Sequence, residues 1–175
     1  MLSVLMDCGP DDKQLATSLA TLVPGAVEGV VREVVLVDRG MGPQAHRVAD
    51  HAGCRVVSEE EFRPTIETAK GEWLLLLEPG ARLMPGWIGA VVEHADEVAR
   101  GTAKIAPARF RRARMDRPGF LQRFRQIRTA LAEGFLVQKP QAIGLSRLAF
   151  NLEEVAKGVA VERLAVEIRP ALRAR

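Results

Sequence analysis

The side chains best placed to do chemistry follow an apolar run near the middle of the chain. Five apolar residues at positions 73–77 lie between a glycine and a Pro-Gly pair, which predicts a strand buried on both faces of a sheet. In an open α/β sheet, ligands bind beyond the carboxyl ends of such strands. We therefore expect a functional site at residues 78–82, where Glu78 supplies a carboxylate and Arg82 a guanidinium.

Two further strand ends carry side chains of chemical interest. Cys8 follows the apolar segment 2–6 and lies at the mouth of the expected site. No recognisable histidine partner follows it, so a nucleophilic role is not expected. Asp38 ends the β-branched segment 34–37. It either contacts a ligand or caps the loop that follows it, and both interpretations stay open.

The composition argues against several classes of protein. The chain has 175 residues, 47 % hydrophobic and 27 % charged, which fits one globular domain. A net charge of +3, no tyrosine and only two tryptophans argue against a nucleic-acid partner. Neither Cys8 nor Cys54 has the pair spacing of a zinc site, so we expect free thiols in a reducing compartment.

The amino-terminal residues and the apolar runs bear on localisation. Residues 1–7 have no basic region and reach an acid too early for a signal peptide. No run approaches the roughly 18 apolar residues of a membrane span. We expect a cytoplasmic protein, with peripheral association with the inner membrane face as an open alternative.

Strands and helices alternate along residues 1–106, which predicts a mainly parallel sheet with right-handed crossovers. Asp11 or Asp12 is expected to cap the first helix, and Pro24-Gly25 to end it. Predicted strands are 2–6, 34–38, 54–57, 73–77 and 102–106, and predicted helices are 12–22, 43–52, 64–69 and 87–100. Later segments predict a helix near 120–131, a strand at 142–145 and short helices at 152–156 and 161–168.

An arginine-rich stretch follows this alternating part. Residues 109–128 hold eight arginines, the first Arg109 and the last Arg128, against the single acid Asp116. One interpretation is a solvated loop and helix face. A second is attachment of a basic amphipathic helix to an anionic membrane surface. A third, nucleic acid, is disfavoured by the scarcity of aromatic residues.

Four segments carry a resemblance to a known family. They are L-S-V-L-M-D (residues 2–7), V-R-E-V-V-L-V-D-R-G (31–40), A-K-G-E-W-L-L-L-L-E-P-G-A-R-L-M-P-G-W (69–87) and P-Q-A-I-G-L-S-R-L-A-F (140–150). They resemble L-S-V-V-I-P-T, V-x-E-V-I-V-V-D-G-G, A-R-G-D-W-L-L-F-L-H-A-D-T-R-L-P-x-G-W and D-Q-G-L-F-V-R-R-E-L-F of a small bacterial branch of the family-two glycosyltransferases. The third segment is the most specific.

The resemblance implies a fold and an activity. The fold would be a single α/β domain over residues 1–175, Rossmann-like and three-layered, with a mainly parallel central sheet. Residues 1–106 would form the nucleotide-binding half and residues 107–175 a basic, acceptor-side half. The activity would be transfer of a sugar from a nucleotide-diphospho-sugar donor to an unknown acceptor, by direct displacement with inversion.

The resemblance also implies roles for individual residues. Asp38 and Cys8 would border the nucleotide, and Arg82 would either contact a phosphate or serve the structure alone. The general base would come from a Glu-Asp pair. A loose alignment matches it to Glu162 and Arg163, and a glutamate on a helix surface is the alternative.

The family's metal site is where this chain departs most. A carboxylate after the central strand holds a divalent metal, Mg or Mn, and its counterpart here is Gly80, which cannot ligate. Glu78 is the nearest substitute, unless Pro79-Gly80 simply forms a tight turn. The acidic run 59–61 would also repel a diphosphate. We therefore expect impaired or metal-independent transfer, or alternatively a catalytically inactive binding or partner module with the same sheet.

Overall fold

The structure is a computed structural model that describes residues 1–113 and 129–171. Its strands are β1 (Leu2–Cys8), β2 (Val31–Asp38), β3 (Arg55–Val57), β4 (Trp73–Leu77), β5 (Arg82–Leu83), β6 (Ala108–Arg112), β7 (Phe135–Gln138) and β8 (Glu162–Arg169). Its helices are α1 (Asp12–Val27), α2 (Pro43–His51), α3 (Phe62–Thr68), α4 (Trp87–Ala99), α5 (Lys139–Ser146) and α6 (Leu152–Ala156), with a 3-10 turn at Glu59–Glu61.

All of these strands belong to one sheet with the order β3-β2-β1-β4-β7-β6-β8-β5. β1 pairs in parallel with β2 and with β4, and β2 pairs in parallel with β3. β7 is antiparallel to both β4 and β6, whereas β6 and β8 are parallel and β5 is antiparallel to β8. Among the described strands, only β7 and β5 run against the rest, so the predicted mainly parallel sheet is confirmed.

Helices cover both faces of the sheet and give the predicted three layers. One cluster of buried side chains joins α1, α2 and α4 to the sheet, and it includes Leu75, Leu77 and Trp87. The opposite cluster joins α3, α5 and α6, and it includes Leu74 and Leu76. All of β4 is buried, with its leucines alternating between the two clusters. Burial of each leucine contributes about 1.5–3 kcal/mol, which makes β4 the centre of the fold.

The sheet has a parallel first half, β3-β2-β1-β4, and a mixed second half, β7-β6-β8-β5. The second half must curl to meet the first. β5 starts five residues after β4 ends, yet four strand spacings separate them in the sheet order. A flat sheet would need about 19 Å for that separation. The chain between them instead makes a tight turn, in which Ala81 N donates to Glu78 O at 3.0 Å. The curl therefore brings β5 and β8 beside the end of β4.

The helix end predicted at Pro24-Gly25 is wrong. α1 continues to Val27, with Pro24 inside it and Asp11 as its amino-terminal cap. Gly25 is buried, and a Cβ on it would lie 2.6 Å from the ring of Trp87. The glycine thus permits close packing of α1 on α4, and this tertiary contact keeps the helix going past its local stop signal.

Three predictions after residue 100 are also wrong. Residues 102–106 form no strand, because Thr102 N and Ala103 N both donate to Glu97 O and extend the end of α4. Residues 142–145 lie in helix α5, and the strand comes just before them as β7. Residues 161–168 hold β8 rather than a helix. The short helix at 152–156 is confirmed, and the helix predicted near 120–131 falls largely on residues 114–128, outside the described ones.

Candidate functional site

A cavity of about 230 Å³ opens beyond the carboxyl ends of β1 and β4. The loop 7–11, the first turns of α1 and the pair Glu78-Pro79 line it. The two strands are neighbours in the parallel part of the sheet, so their ends meet at one edge. The cavity brings together Cys8 and Glu78, two of the five side chains singled out in the sequence. Asp38, Arg82 and Glu162 do not line it.

Asp7 is a cavity residue that the sequence did not single out. Its Oδ1 accepts a hydrogen bond from Arg39 Nε at 3.2 Å, and its Oδ2 accepts one from Leu152 N at 2.8 Å. Asp7 therefore ties the end of β1 to the β2–α2 loop and to the start of α6. An acid directly after the apolar segment 2–6 was the available signal, but its partners are distant in the sequence.

Arg39 extends this tie toward the acidic run. Its guanidinium donates to Phe150 O at 2.7 Å and forms an ion pair with Glu59. Glu61 caps the 3-10 turn by accepting from both Ser58 N and Ser58 Oγ. Two of the three acids predicted to repel a diphosphate therefore have partners. Glu61 is bonded to Ser58, and Glu59 is paired with the cation Arg39.

Glu78 opens the turn that borders the cavity. Its Oε2 accepts a hydrogen bond from Thr129 Oγ1 at 2.9 Å. Pro79 and Gly80 occupy the middle of the turn, and Gly80 has φ +94°, as a type II turn requires at that position. Buried Ser18 of α1 fixes the turn, because its hydroxyl accepts from Gly80 N and donates to Ala81 O. The tight-turn interpretation is thus the observed one.

The space beside Gly80 is already filled. A Cβ on Gly80 would lie 2.9 Å from Ala171 Cβ and 3.2 Å from Gln14 Oε1. Within residues 1–113 and 129–171, no group of three or more His, Cys, Asp or Glu side chains could hold a metal ion. The described residues therefore do not form a ligand set for Mg²⁺ or Mn²⁺ around Glu78, and metal binding by Glu78 stays a prediction.

Asp38 caps the loop after β2. Its Oδ1 accepts from Met41 N at 2.7 Å and from Gly40 N at 2.9 Å, and its Oδ2 lies 3.1 Å from His46 Nε2. The hydrogen bond from Met41 is the main reason that the pKa of Asp38 lies below its ordinary value, with smaller contributions from Gly40 and His46. One of the two open interpretations is thus realised, and a nucleotide contact stays a prediction.

Cys8 is a buried, neutral thiol. Its side chain is 1 % exposed, and Sγ donates a weak hydrogen bond to Met6 O. Burial, aided by the neighbouring charge of Asp7, raises the pKa of Cys8 to about 12. Burial also raises the pKa of Cys54 to about 11, and both cysteines are free. Cys8 can therefore shape the cavity wall but is not poised as a thiolate.

Arg82 and Glu162 lie in the second half of the sheet. Arg82 begins β5 and faces Arg169 of β8 across the strand pair. Glu162 begins β8 opposite Ala108 and is not among the residues that line the cavity. Arg163, aligned with the family's second acid, forms an ion pair with Glu133. Glu162 is therefore not one of the cavity residues.

The arginine-rich stretch begins inside the fold. Arg109 donates to Ala156 O at 2.6 Å, and its guanidinium lies 5.5 Å from the ring centre of Phe135. Burial lowers the pKa of Arg109. Residues 114–128 are outside the described ones, so membrane attachment through residues 109–128 stays a prediction. None of the described helices combines the length and apolarity needed to cross a membrane.

Comparison with known proteins places this architecture. No protein-family model matches the chain, and no curated protein matches it in sequence. Solved structures of glucosyl-3-phosphoglycerate synthase from Mycobacterium tuberculosis do match in fold. The complex with Mn²⁺, UDP-glucose and phosphoglyceric acid gives a TM-score of 0.65 at 13 % identity, covering 99 % of this chain and 72 % of that one. The UDP complex gives 0.62 at 16 % identity, covering 100 % and 73 %.

The class of fold follows from this likeness. The chain has the α/β fold of the GT-A nucleotide-sugar transferases, as the motif resemblance implied. The mycobacterial synthase is a solved example of that fold, and at this identity the likeness concerns the fold alone.

Proposed function

We propose that the protein binds a nucleotide-diphospho-sugar at the cavity beyond β1 and β4 and transfers its sugar to an acceptor with inversion. The observation that carries this proposal is the cavity itself, which lies at adjacent parallel strand ends in a GT-A sheet. Structures with the same fold hold UDP or UDP-glucose. In this proposal residues 1–106 supply the donor side and residues 107–175 the acceptor side.

The size of the cavity suggests which part of the donor it takes. Its volume of about 230 Å³ is below the ~300–1,000 Å³ typical of pockets for whole ligands. We therefore assign it to the nucleoside, with Cys8 in its wall and Asp38 on the neighbouring loop. The diphosphate and sugar would extend past Glu78 toward the second half of the sheet, where Arg82 lies.

The charges in the cavity favour weak binding of a diphosphate donor. Carboxylates of Asp7, Asp11 and Glu78 are among its lining residues, and none of those residues is basic. A diphosphate would therefore need a cation from elsewhere. Glu78 is the candidate ligand for a divalent metal, but Gly80 supplies no second carboxylate and its surroundings leave no room for one. Arginines are the alternative cations.

Two carboxylates are candidates for the general base. Glu162 is the one that the resemblance implies, and Glu78 is the one at the cavity. A base must come within hydrogen-bond reach of the acceptor hydroxyl or act through one water. Glu78 lines the cavity and Glu162 does not, which favours Glu78, so glutamine variants of both residues form a direct comparison.

A non-catalytic module is the second candidate function. It is favoured by the contact of Ala171 with Gly80, which occupies the position of the family's metal ligand. In that case the protein would bind a nucleotide or a protein partner without transferring a sugar.

Thermal unfolding with and without ligand separates these functions. A ligand at 100 times its Kd stabilises by about 2.7 kcal/mol, which raises the Tm by roughly 5–10 °C for a chain of this size. We expect such a rise with UDP- or GDP-sugars and little further effect of Mn²⁺. No rise with any nucleotide would rule out the donor site, and a rise dependent on Mn²⁺ would contradict metal independence.

Product release then tests catalysis. Release of UDP or GDP by the wild type should fall strongly in Glu78→Gln and persist in Glu93→Gln, whose residue lies exposed on α4. Loss of UDP or GDP release in Glu162→Gln but not in Glu78→Gln would assign the general base to Glu162 of β8. Nucleotide-dependent stabilisation without any turnover would favour the non-catalytic module.

A further inference from the structure

Two large apolar side chains stand in solvent between α5 and α6. Leu148 is 88 % exposed and Phe150 is 72 % exposed, whereas Ala149 between them is 3 % exposed. This alternation puts both large side chains on the solvent side of the chain, and we call Leu148 and Phe150 the exposed apolar pair. Single exposed apolar residues are common on protein surfaces, but adjacent ones mark interaction sites more often.

Side chains from three other parts of the fold fix the backbone of the exposed apolar pair. Ala149 O accepts a hydrogen bond from the guanidinium of Arg63 on α3 at 3.3 Å, and Phe150 O accepts one from Arg39 at 2.7 Å. Phe150 N donates to Glu154 Oε2 of α6 at 2.8 Å. An anchor whose backbone is already ordered loses less conformational entropy when a partner covers it. The pair is therefore presented in a form suited to binding.

A second cavity, of about 280 Å³, opens beside Phe150. Its other lining residues are Glu59, Glu60, Phe62, Arg63 and Ala149. We call it the α3 cavity, because the 3-10 turn and the start of α3 supply most of this lining. The guanidinium of Arg63 lies 5.9 Å from the ring centre of Phe150, within the range of a cation–π contact. The volume is below the ~300–1,000 Å³ typical of pockets for whole ligands, so it suits one side chain of a larger partner.

The charges of the α3 cavity determine what can approach it. Glu59 already pairs with Arg39. Glu60 is exposed, and within residues 1–113 and 129–171 no cation pairs with it. A carboxylate at the rim attracts a cationic group and disfavours an anionic membrane surface. The charge therefore selects a partner with a basic side chain.

We propose that the exposed apolar pair and the α3 cavity form a docking site for a segment of a partner protein. The segment carries an aromatic or large aliphatic side chain beside a lysine or arginine. The apolar side chain enters the cavity against Phe150, and the cation pairs with Glu60. Leu148 is not part of the cavity lining, so an occupant that covers both members of the pair extends beyond the cavity, as a peptide chain does. This site does not depend on the proposed sugar transfer.

Binding of short blocked peptides tests the docking site. The lysine peptide has phenylalanine followed by lysine between two alanines, and the glutamate peptide has glutamate in place of that lysine. Titration of the ¹⁵N-labelled protein, followed by amide chemical shifts, should give the lysine peptide a roughly millimolar Kd. Shifts should move at residues 59–63 and 148–150. No saturable shift in these two segments would overturn the proposal.

Variants of the exposed apolar pair test its part in binding. We expect Phe150→Ser and Leu148→Ser to weaken the lysine peptide by about fivefold or more, because both remove apolar contact area from the interface. Val27→Ser is the matched control, since it removes an apolar side chain that is 82 % exposed on α1, and it should leave the Kd unchanged. Equal affinity in the wild type and in Phe150→Ser would overturn the proposal.

A charge reversal guards against misfolding of these variants. The wild type should prefer the lysine peptide over the glutamate peptide by roughly threefold, as for an exposed ion pair. Glu60→Lys should reverse this preference, which a misfolded protein could not do. Glu93→Lys, an exposed position on α4, should keep it. An unchanged preference in Glu60→Lys, or a reversal in Glu93→Lys, would contradict the proposed cation contact.

Two other occupants of the site have distinct signatures. A wild-type dimer that Phe150→Ser dissociates in sedimentation equilibrium would assign the exposed apolar pair to a second copy of this chain. Flotation of the wild type with phosphatidylglycerol vesicles that Leu148→Ser abolishes would assign it to a membrane. Either result would overturn the proposal, and we expect neither. Peptide binding in a protein without nucleotide affinity would support the docking site and contradict only the proposed sugar transfer.

Discussion

The methyl group of Ala171 lies against Gly80, where the family resemblance expects a metal-binding carboxylate. A Cβ on Gly80 would approach Ala171 Cβ to 2.9 Å, closer than real Cβ contacts come. Gly80 also has φ +94°, a conformation that glycine adopts without strain and other residues rarely adopt. The backbone and its neighbour thus both select against a side chain at this position.

Restoring the family's carboxylate should therefore fail to create a metal site. We expect Gly80→Asp to lower the free energy of unfolding by about 2–4 kcal/mol, because strain at positive φ and overpacking against Ala171 add. Mn²⁺ titration of the variant should show no specific binding.

A matched pair of alanine variants separates the two causes. Gly53 has φ +66°, and no atom lies within 4 Å of the place that an added methyl group would take, so Gly53→Ala reports strain alone. Gly80→Ala should cost more than Gly53→Ala in urea unfolding. Equal costs would show that Ala171 yields freely.

Glu33 of β2 links the start of β1 to the residues that precede β4. Its Oε1 accepts from Ser3 Oγ at 2.7 Å and from Lys70 N at 2.6 Å, and its side chain is 7 % exposed. Ser3 Oγ in turn accepts from Gly71 N. We expect Glu33→Gln to cost about 1–3 kcal/mol at pH 7, because buried donors lose a charged acceptor. The exposed Glu28→Gln is the control in the same denaturation experiment.

Glu33 should also contribute to acid sensitivity. Burial alone would raise the pKa of Glu33, but hydrogen bonds from Lys70 and Ser3, with the charge of Arg55, outweigh it and hold the pKa below its ordinary value. A group whose pKa is lower in the folded state stabilises above its unfolded pKa and loses that effect as pH falls. Unfolding measured from pH 7 to pH 3 should therefore show a shallower loss in Glu33→Gln. Identical pH profiles would contradict this role.

Asp7 should control the order of the start of α6. In Asp7→Ala, Leu152 N loses its acceptor and Arg39 loses one of its anionic partners. We expect a loss of about 1–3 kcal/mol in stability and faster amide exchange at residue 152. Hydrogen-exchange mass spectrometry of residues 147–157 measures it, with the exposed Asp96→Ala on α4 as the control. Unchanged exchange in Asp7→Ala would show that α6 is held by its apolar contacts.

The two cysteines should be unreactive in the folded protein. With pKa values of about 12 for Cys8 and about 11 for Cys54, thiolate forms are scarce at pH 8. A disulfide-exchange reagent should label the native protein slowly and both thiols rapidly in urea. Stoichiometric labelling of native Cys8 within seconds would contradict its burial.

The parallel half of the sheet was predictable because its strands are recognisable locally. Each is a short apolar or β-branched run bounded by turn residues, and β4 was predicted to the residue. The position of the candidate site followed from the same pattern, since strand ends in a parallel sheet converge. Cys8 and Glu78 line one cavity, whereas their expected roles stay predictions.

The second half depends on contacts that no local pattern reveals. β5 has two residues, and it is a strand only because it pairs with β8 far along the chain. In β8, Leu164, Val166 and Ile168 alternate with period two, and this alternation was the signal against the helix predicted at 161–168. The hydrogen bond from Leu152 N to Asp7 spans 145 residues, and no local sequence pattern predicts it either.

The position of β8 has a consequence for the protein's synthesis. β8 lies between β6 and β5, so the sheet cannot close until Arg169 has left the ribosome. The block β3-β2-β1-β4 can assemble once Leu77 has emerged, but β5 then waits for its partner. Unpaired strand edges on nascent chains invite association with other chains. We expect the demand for chaperones to be greatest while residues 84–161 are being translated.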